Sequence, residues 1–270
     1  MESTIIMLDL KIAIKHLWSL PLVFGKVPPI FAKNSELNVN SYSTIKDAVV
    51  SVKRAILGSS KYTIPPINDT SNIEVFFLNG ICTDINVWKL NAAEIEEIFD
   101  FKISPLRNPS HGVIPDLIEC IFGRTFNILD KETQEIFQTL YKAIKTKDKV
   151  IILAHSQGGI IISQLIDHFL DNDIDISNIE VYTFASASDE MAKGNYYVEH
   201  FANKYDYVAR IGVLEYASNF YGNVFVRKGA GHLLNIHYLQ PLSKGEFCVG
   251  RSRLSRYLKY KHRWWIESTQ

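Results

Sequence analysis

One stretch constrains the fold of this chain more than any other: Lys149-Val150-Ile151-Ile152-Leu153-Ala154-His155-Ser156-Gln157-Gly158-Gly159-Ile160-Ile161-Ile162. An apolar run stops at a serine, two glycines follow, and a helical apolar pattern begins. That order reads as a buried strand, a sharp turn and a helix. A serine on such a turn stands above the sheet edge, where its hydroxyl can act as a nucleophile. The usual form of the turn is Gly-x-Ser-x-Gly. Here Ala154 takes the first glycine position, and a methyl group is the smallest departure from glycine. Gly158 and Gly159 keep the start of the helix open to close backbone approach.

The 270 residues suffice for one large α/β domain. We expect a single domain over 1–270, with an N-terminal helical extension over 1–72 and a C-terminal helical segment over 241–270. Formal net charge is zero, which gives nucleic acid no basic face to bind. Three cysteines, Cys82, Cys120 and Cys248, are too few and too widely spaced for a disulfide framework or a metal cluster. They point to a reducing, cytoplasmic setting. Dinucleotide and phosphate loops, His-Glu-x-x-His and paired Cys-x-x-Cys are all missing from the sequence. Neither cofactor nor metal is expected.

Buried strands and helices alternate along the chain. Ser43–Leu57 reads as an amphipathic helix, with Ile45, Ala48, Val49, Val52 and Ile56 at helical spacing and Gly58 at the C-cap position. Strands are expected at 73–78, 101–104, 150–154, 179–185, 196–202 and 223–226. Helices are expected at 87–100, 114–122, 131–145 and 158–170. Such alternation predicts a mainly parallel sheet covered on both faces, with ligands bound beyond the carboxyl ends of its strands.

Ser156 follows one such strand end, Asp206 a second, and His232 a third, across the loop Gly229-Ala230-Gly231. A serine hydroxyl is a weak nucleophile until a positioned imidazole takes its proton, and the imidazolium then needs a fixed carboxylate. His237, inside an apolar helical pattern, is the second choice for the base. Asp189 and Asp84 are further choices for the acid. His155, inside the turn, points away from the site.

The order serine, acid, histidine, each past its own strand, resembles the α/β-hydrolase superfamily over about Ile73 to Tyr238. The resemblance implies Ser156 as nucleophile, His232 as base and then acid, and Asp206 as its orienting carboxylate. It implies an oxyanion hole made by the backbone N–H groups of Gln157 and of Ile81 in the loop Asn79-Gly80-Ile81-Cys82. Superfamily members commonly carry His-Gly there. Asn79 replaces the histidine, and its expected part is to brace the loop. Cys82 reads as a small buried side chain. Among subfamilies the chain looks most like lipases and esterases. The runs Leu106–Gly112 and Asp116–Glu119, with Asn79-Gly80, are similar in wording to lipase-like proteins of fungi and of insect poxviruses.

The expected function is therefore hydrolysis of a carboxylic ester of a small-molecule or lipid-like substrate. A thioesterase or acyltransferase with the same triad, and a non-catalytic binding protein of this fold, stand as alternatives. The short stretch after residue 185 leaves no room for a cap, so 105–145 is the candidate cover. Residues 5–31 are apolar but interrupted by charge, so neither a spanning helix nor a signal peptide is expected. That region reads first as a helix packed on the fold, and second as a surface-membrane helix with Trp18 at the interface. The stretch 251–266 carries the same two readings, through Leu254, Tyr257, Leu258 and Trp265 on one face and Arg253, Arg256, Lys259 and Arg263 elsewhere.

Overall fold

The computed structural model describes residues 2–25, 29–57, 71–80, 83–106, 131–247 and 252–259. Six strands, β1 (Ile73–Leu78), β2 (Ile103–Leu106), β3 (Lys149–His155), β4 (Ile179–Phe184), β5 (Tyr197–Asn203) and β6 (Asn223–Arg227), form one sheet in the order β2-β1-β3-β4-β5-β6. Every pairing is parallel. Leu78, Ala154, Thr183, His200 and Val224 share one register row near the carboxyl end. The central strands are buried on both faces; β3 is accordingly an apolar run from Val150 to Ala154, while β4 buries Glu180 and Thr183, which bond to Tyr182 and His200. One row, Phe184–Phe201–Phe225, stacks ring on ring at 5.3 Å between neighbours.

The helices are α1 (Glu2–His16), α2 (Ile45–Leu57), α3 (Ile85–Ile98), α4 (Lys131–Thr146), α5 (Gly158–Asp171), α6 (Tyr207–Ile211) and α7 (Gln240–Ser243). A 3-10 helix over Leu17–Phe24 continues α1, and a π-helix over Leu234–Leu239 precedes α7. With the serine turn at the end of β3, this is an α/β-hydrolase fold.

Departures from the sequence reading have local causes. The α3 helix starts at Ile85, two residues early, because Asp84 caps it by accepting from Asn86 N and Val87 N. The second strand begins at Ile103 rather than Phe101, because Phe101 instead packs between Phe99 and Tyr257, at 5.5 and 5.1 Å. The apolar stripe of α2 splits. Ala48 and Ser51 face inward, while Ile45, Val49 and Val52 are exposed. Ser51 Oγ donates to Asp84 Oδ1 at 2.8 Å, and that polar pair sets the roll of the helix.

Residues 252–259 are a short 3-10 turn rather than a long helix, and they are packed. Leu254 and Leu258 are buried. The Arg253 guanidinium lies 3.6 Å over the Tyr197 ring and 3.1 Å from Glu180, and Lys259 Nζ donates to Glu96 O. Of the two readings for this stretch the structure has the packed one, with Arg263 and Trp265 outside the described residues. The α4 half of the candidate cover lies on the sheet, with Ile136, Leu140, Ala143 and Ile144 in the core. The rest of it, 107–130, lies outside the described residues, and so do the expected helix 114–122, most of the lipase-like runs, Gly58 and all three cysteines. Among the described residues no helix is long and apolar enough to cross a membrane.

Candidate active site

After β1 the chain steps to β2 on one side. After β3 it steps to β4 on the other. Between β1 and β3 the sheet therefore switches direction, and there, beyond the carboxyl ends, such sheets open a crevice. Ser156 sits at that point. Its φ is 59°, in the left-handed region that costs a non-glycine residue about 1 kcal/mol or more. Three backbone bonds hold it. Ser156 N donates to Phe184 O at 2.9 Å, and its carbonyl accepts from Gly159 N at 2.9 Å and Ala187 N at 3.1 Å.

The glycines around the turn are demanded by close approach. A Cβ on Gly80 would stand 2.6 Å from Ser156 Cβ and 3.2 Å from its Oγ. A Cβ on Gly158 would stand 2.6 Å from Leu78 O. The bare backbone of Gly80 leaves space beside Oγ. Asn79, fully buried, donates from Nδ2 to Gly80 O at 2.9 Å, so its side chain braces the loop. Gln157 opens α5 directly after Ser156. Ile81 and Cys82 lie outside the described residues.

Three elements deliver the other side chains. Asp206 ends the turn after β5 and caps α6, its side chain accepting from Val208 N at 3.0 Å. His232 follows the glycine loop after β6. Its Nδ1 lies 2.8 Å from Asp206 Oδ2 and its Nε2 2.9 Å from Ser156 Oγ. An ionised carboxylate only accepts, so Nδ1 carries the proton, and Nε2 is the acceptor that faces the serine hydroxyl. Asp206 is fully buried and Oδ2 accepts a second bond, from the Tyr238 hydroxyl at 2.6 Å. Buried carboxylates survive only with such donors. Asp84 is occupied in capping α3, and the carboxylate on His232 is Asp206 rather than Asp84 or Asp189.

A further layer holds the histidine loop. Asn203 Nδ2 donates to Gly231 O and His237 O, both at 3.0 Å, and its Oδ1 accepts from Arg227 Nε at 2.8 Å. His237 Nδ1 accepts from Leu233 N at 3.0 Å. Burial pulls the His237 pKa down to about 4, so it is neutral at pH 7. Gly231 has φ 97°, and a side chain there would strike the His237 ring.

His155 does not point away from the site as the sequence reading expected: it packs on His232. Its Nε2 donates to the backbone carbonyl of His232 at 2.9 Å, and the two rings stand 4.7 Å apart. Burial, then the neighbouring His232, holds its pKa well below the ordinary histidine value. On the other side of His232, its N–H donates to Val23 O at 2.7 Å. Sequence reasoning missed His155, Val23, Asn203 and Tyr238 as supports. None carries a local signal, since each acts on a partner distant in the chain. Among the described residues no three His, Cys, Asp or Glu side chains gather as metal ligands would.

No family model matches the sequence, and no curated protein matches it. Among solved structures the chain is similar to the type II thioesterase BorB from the borrelidin biosynthetic cluster, at 9% identity and TM-score 0.41, over 71% of this chain and 99% of that one. It is similar to the RedJ thioesterase from the prodiginine pathway in Streptomyces coelicolor, at 10% identity and TM-score 0.40, over 73% and 95%. It is also similar to an arylesterase, at 10% identity and TM-score 0.41, over 72% and 79%. At such distances only the side-chain geometry speaks to chemistry.

Proposed function

We propose that this chain is a serine hydrolase that cleaves a carboxylic ester through an acyl-enzyme on Ser156. One observation carries the reading: the unbroken chain Ser156–His232–Asp206, at 2.9 and 2.8 Å, mounted on a strained turn at the switch point of the sheet. As Oγ attacks the ester carbonyl, His232 Nε2 takes its proton. The same nitrogen then returns the proton to the departing alcohol oxygen. Asp206 faces the imidazolium, and the bonds from Tyr238 and Val208 keep it in place. Water repeats the cycle on the acyl-enzyme. The developing oxyanion is assigned to the N–H groups of Gln157 and Ile81. Bare backbone at Gly80 lets the carbonyl carbon come up to Oγ. The acyl group is read as lipid-like.

Two measurements test this. A fluorophosphonate should label the chain at Ser156 and not label Ser156→Ala. A panel of nitrophenyl esters of increasing acyl length should be hydrolysed, with longer chains preferred. An unlabelled, inactive protein with normal folding overturns the enzyme reading in favour of a binding protein. Activity confined to thioesters overturns the substrate class alone.

A further inference from the structure

The α1 helix is turned inside out. Its inward face, Asp9, Ile12, Ala13 and His16, is half polar, while Met7, Leu10 and Ile14 face solvent. The strip continues through Leu17, Trp18, Leu20 and Phe24 of the 3-10 helix, with Ile14 63% and Trp18 55% exposed. Directional bonds enforce this roll. Tyr216 OH donates to Asp9 Oδ1 at 3.2 Å, His16 Nε2 meets Glu215 at 2.9 Å, and Arg210 Nε donates to His16 Nδ1 at 3.1 Å. Ser19 Oγ, fully buried, donates to His16 O at 2.8 Å. The helix cannot rotate its apolar side inward without breaking the bonds of Asp9 and His16 to Tyr216, Glu215 and Arg210.

We propose that this strip is a docking surface for a lipid–water interface that carries the ester substrate, an inference that rests on the esterase reading. Contiguous exposed apolar surface on a folded protein marks an interaction site, and two features here select lipid. Lys11 stands exposed beside the strip, the Lys15 ammonium next to it is matched by Glu215 at 2.7 Å, and the one carboxylate of the described α1 side chains, Asp9, is buried. The border of the strip therefore carries an excess of positive charge and no unmatched carboxylate from α1, the sign that suits an anionic membrane surface. The strip also runs into the site, because Val23, in its last turn, holds the N–H of His232 at 2.7 Å. A lipid surface seated there lies next to the triad. Trp18 contributes half-exposed aromatic surface, its ring held beneath Arg210 at 4.7 Å, as interfacial tryptophans do.

Flotation of the full chain on phosphatidylcholine/phosphatidylglycerol vesicles is the test. The wild-type chain should float. Each exposed aliphatic side chain that enters hydrocarbon is worth about tenfold in partition, so L10S/I14S/L17S should weaken vesicle binding by at least about 100-fold. Turnover of a vesicle-borne ester should fall with it, and hydrolysis of a short soluble ester should stay within about twofold. Unaltered flotation of the triple variant overturns the proposal. So does a wild-type chain that ignores vesicles but dimerises through this strip in sedimentation, or a loss that follows I45S/V49S/V52S instead. Flotation needs no turnover, so failure of the esterase reading shows separately, as inactivity toward the soluble ester with vesicle binding intact.

Discussion

The carboxyl end of the sheet and the N-terminal segment bury polar side chains by the same rule and treat apolar ones in opposite ways. At the sheet end Asp206 and Asn203 are fully buried and bonded to named partners, inside an apolar core that includes Phe184, Phe201 and Tyr238. In the N-terminal segment Asp9, His16 and Ser19 are buried and bonded as well, yet only Ile12 and Ala13 join them inside, while Met7, Leu8, Leu10, Ile14 and Leu17 point outward. Apolar burial thus sets the sheet, while directional polar pairs set how α1 and α2 roll against it. Such pairs are weak individually, about 0.5–1.5 kcal/mol net, but leaving a buried polar group unpaired costs more. The cost of an orphan is what fixes the orientation.

The comparison breaks most sharply at the triad. Ser156→Ala and His232→Ala should each lower ester turnover on the order of 10⁴- to 10⁶-fold, and the double variant should be no worse than either, because the two act as a unit. Multiplied losses in the double variant would mean that the 2.9 Å contact is not used. Gly80→Ala should follow, with about a 100-fold loss, because a methyl 3.2 Å from Oγ displaces the carbonyl from attack range. Thermal unfolding of that variant checks that the loss is local.

How much of this was legible in the sequence follows from the same division. Residues 73–78 and the Ser156 turn could be placed from continuous apolar runs and glycines alone, since their structure is fixed by local pattern. The order Ser156, Asp206, His232 could be read because each follows its own strand. The roll of α1 could not, because Lys15 and His16 find Glu215 about 200 positions away. Nor could His155 as a support of His232, since a bond to a backbone carbonyl leaves no trace in side-chain spacing. The α2 stripe misleads for a physical reason: its apolar periodicity is real, but Ser51 and Asp84 decide which side faces in.

Glu36 links the two regions and gives a pH test of intermediate size. Its Oε1 accepts from Asn235 N at 2.9 Å, in the π-helix beyond His232. Burial raises its pKa from 4.5 to about 7. A carboxyl raised on folding contributes stability fully below the unfolded value, 4.5, and that stability is lost as pH rises through about 7. Glu36→Gln cannot ionise. It should therefore flatten the pH dependence of urea denaturation between those values, by on the order of 2–3 kcal/mol. A variant whose stability still falls over that window would place the titration elsewhere.

The smallest effect is the most telling about α1. Ile12 and Ile14 are two positions apart on one helix and identical in chemistry, yet Ile12 is 7% exposed against Ile160, Tyr207, Val208 and Ile211, while Ile14 is 63% exposed. Removing a buried isoleucine down to alanine costs about 2–5 kcal/mol, through lost transfer energy and a residual cavity. Ile12→Ala should fall in that range, toward the lower end because its cluster is small. Ile14→Ser removes more apolar surface and adds a hydroxyl, but the site is already in water, so the change should stay within about 0.5 kcal/mol. Serine is also a slightly weaker helix former than isoleucine or close to it, a difference of at most a few tenths. Urea denaturation of the two variants side by side measures both. Equal losses would mean that Ile14 is covered in solution, by a second copy or by another part of the chain, and the outward strip would not be free to meet a lipid surface.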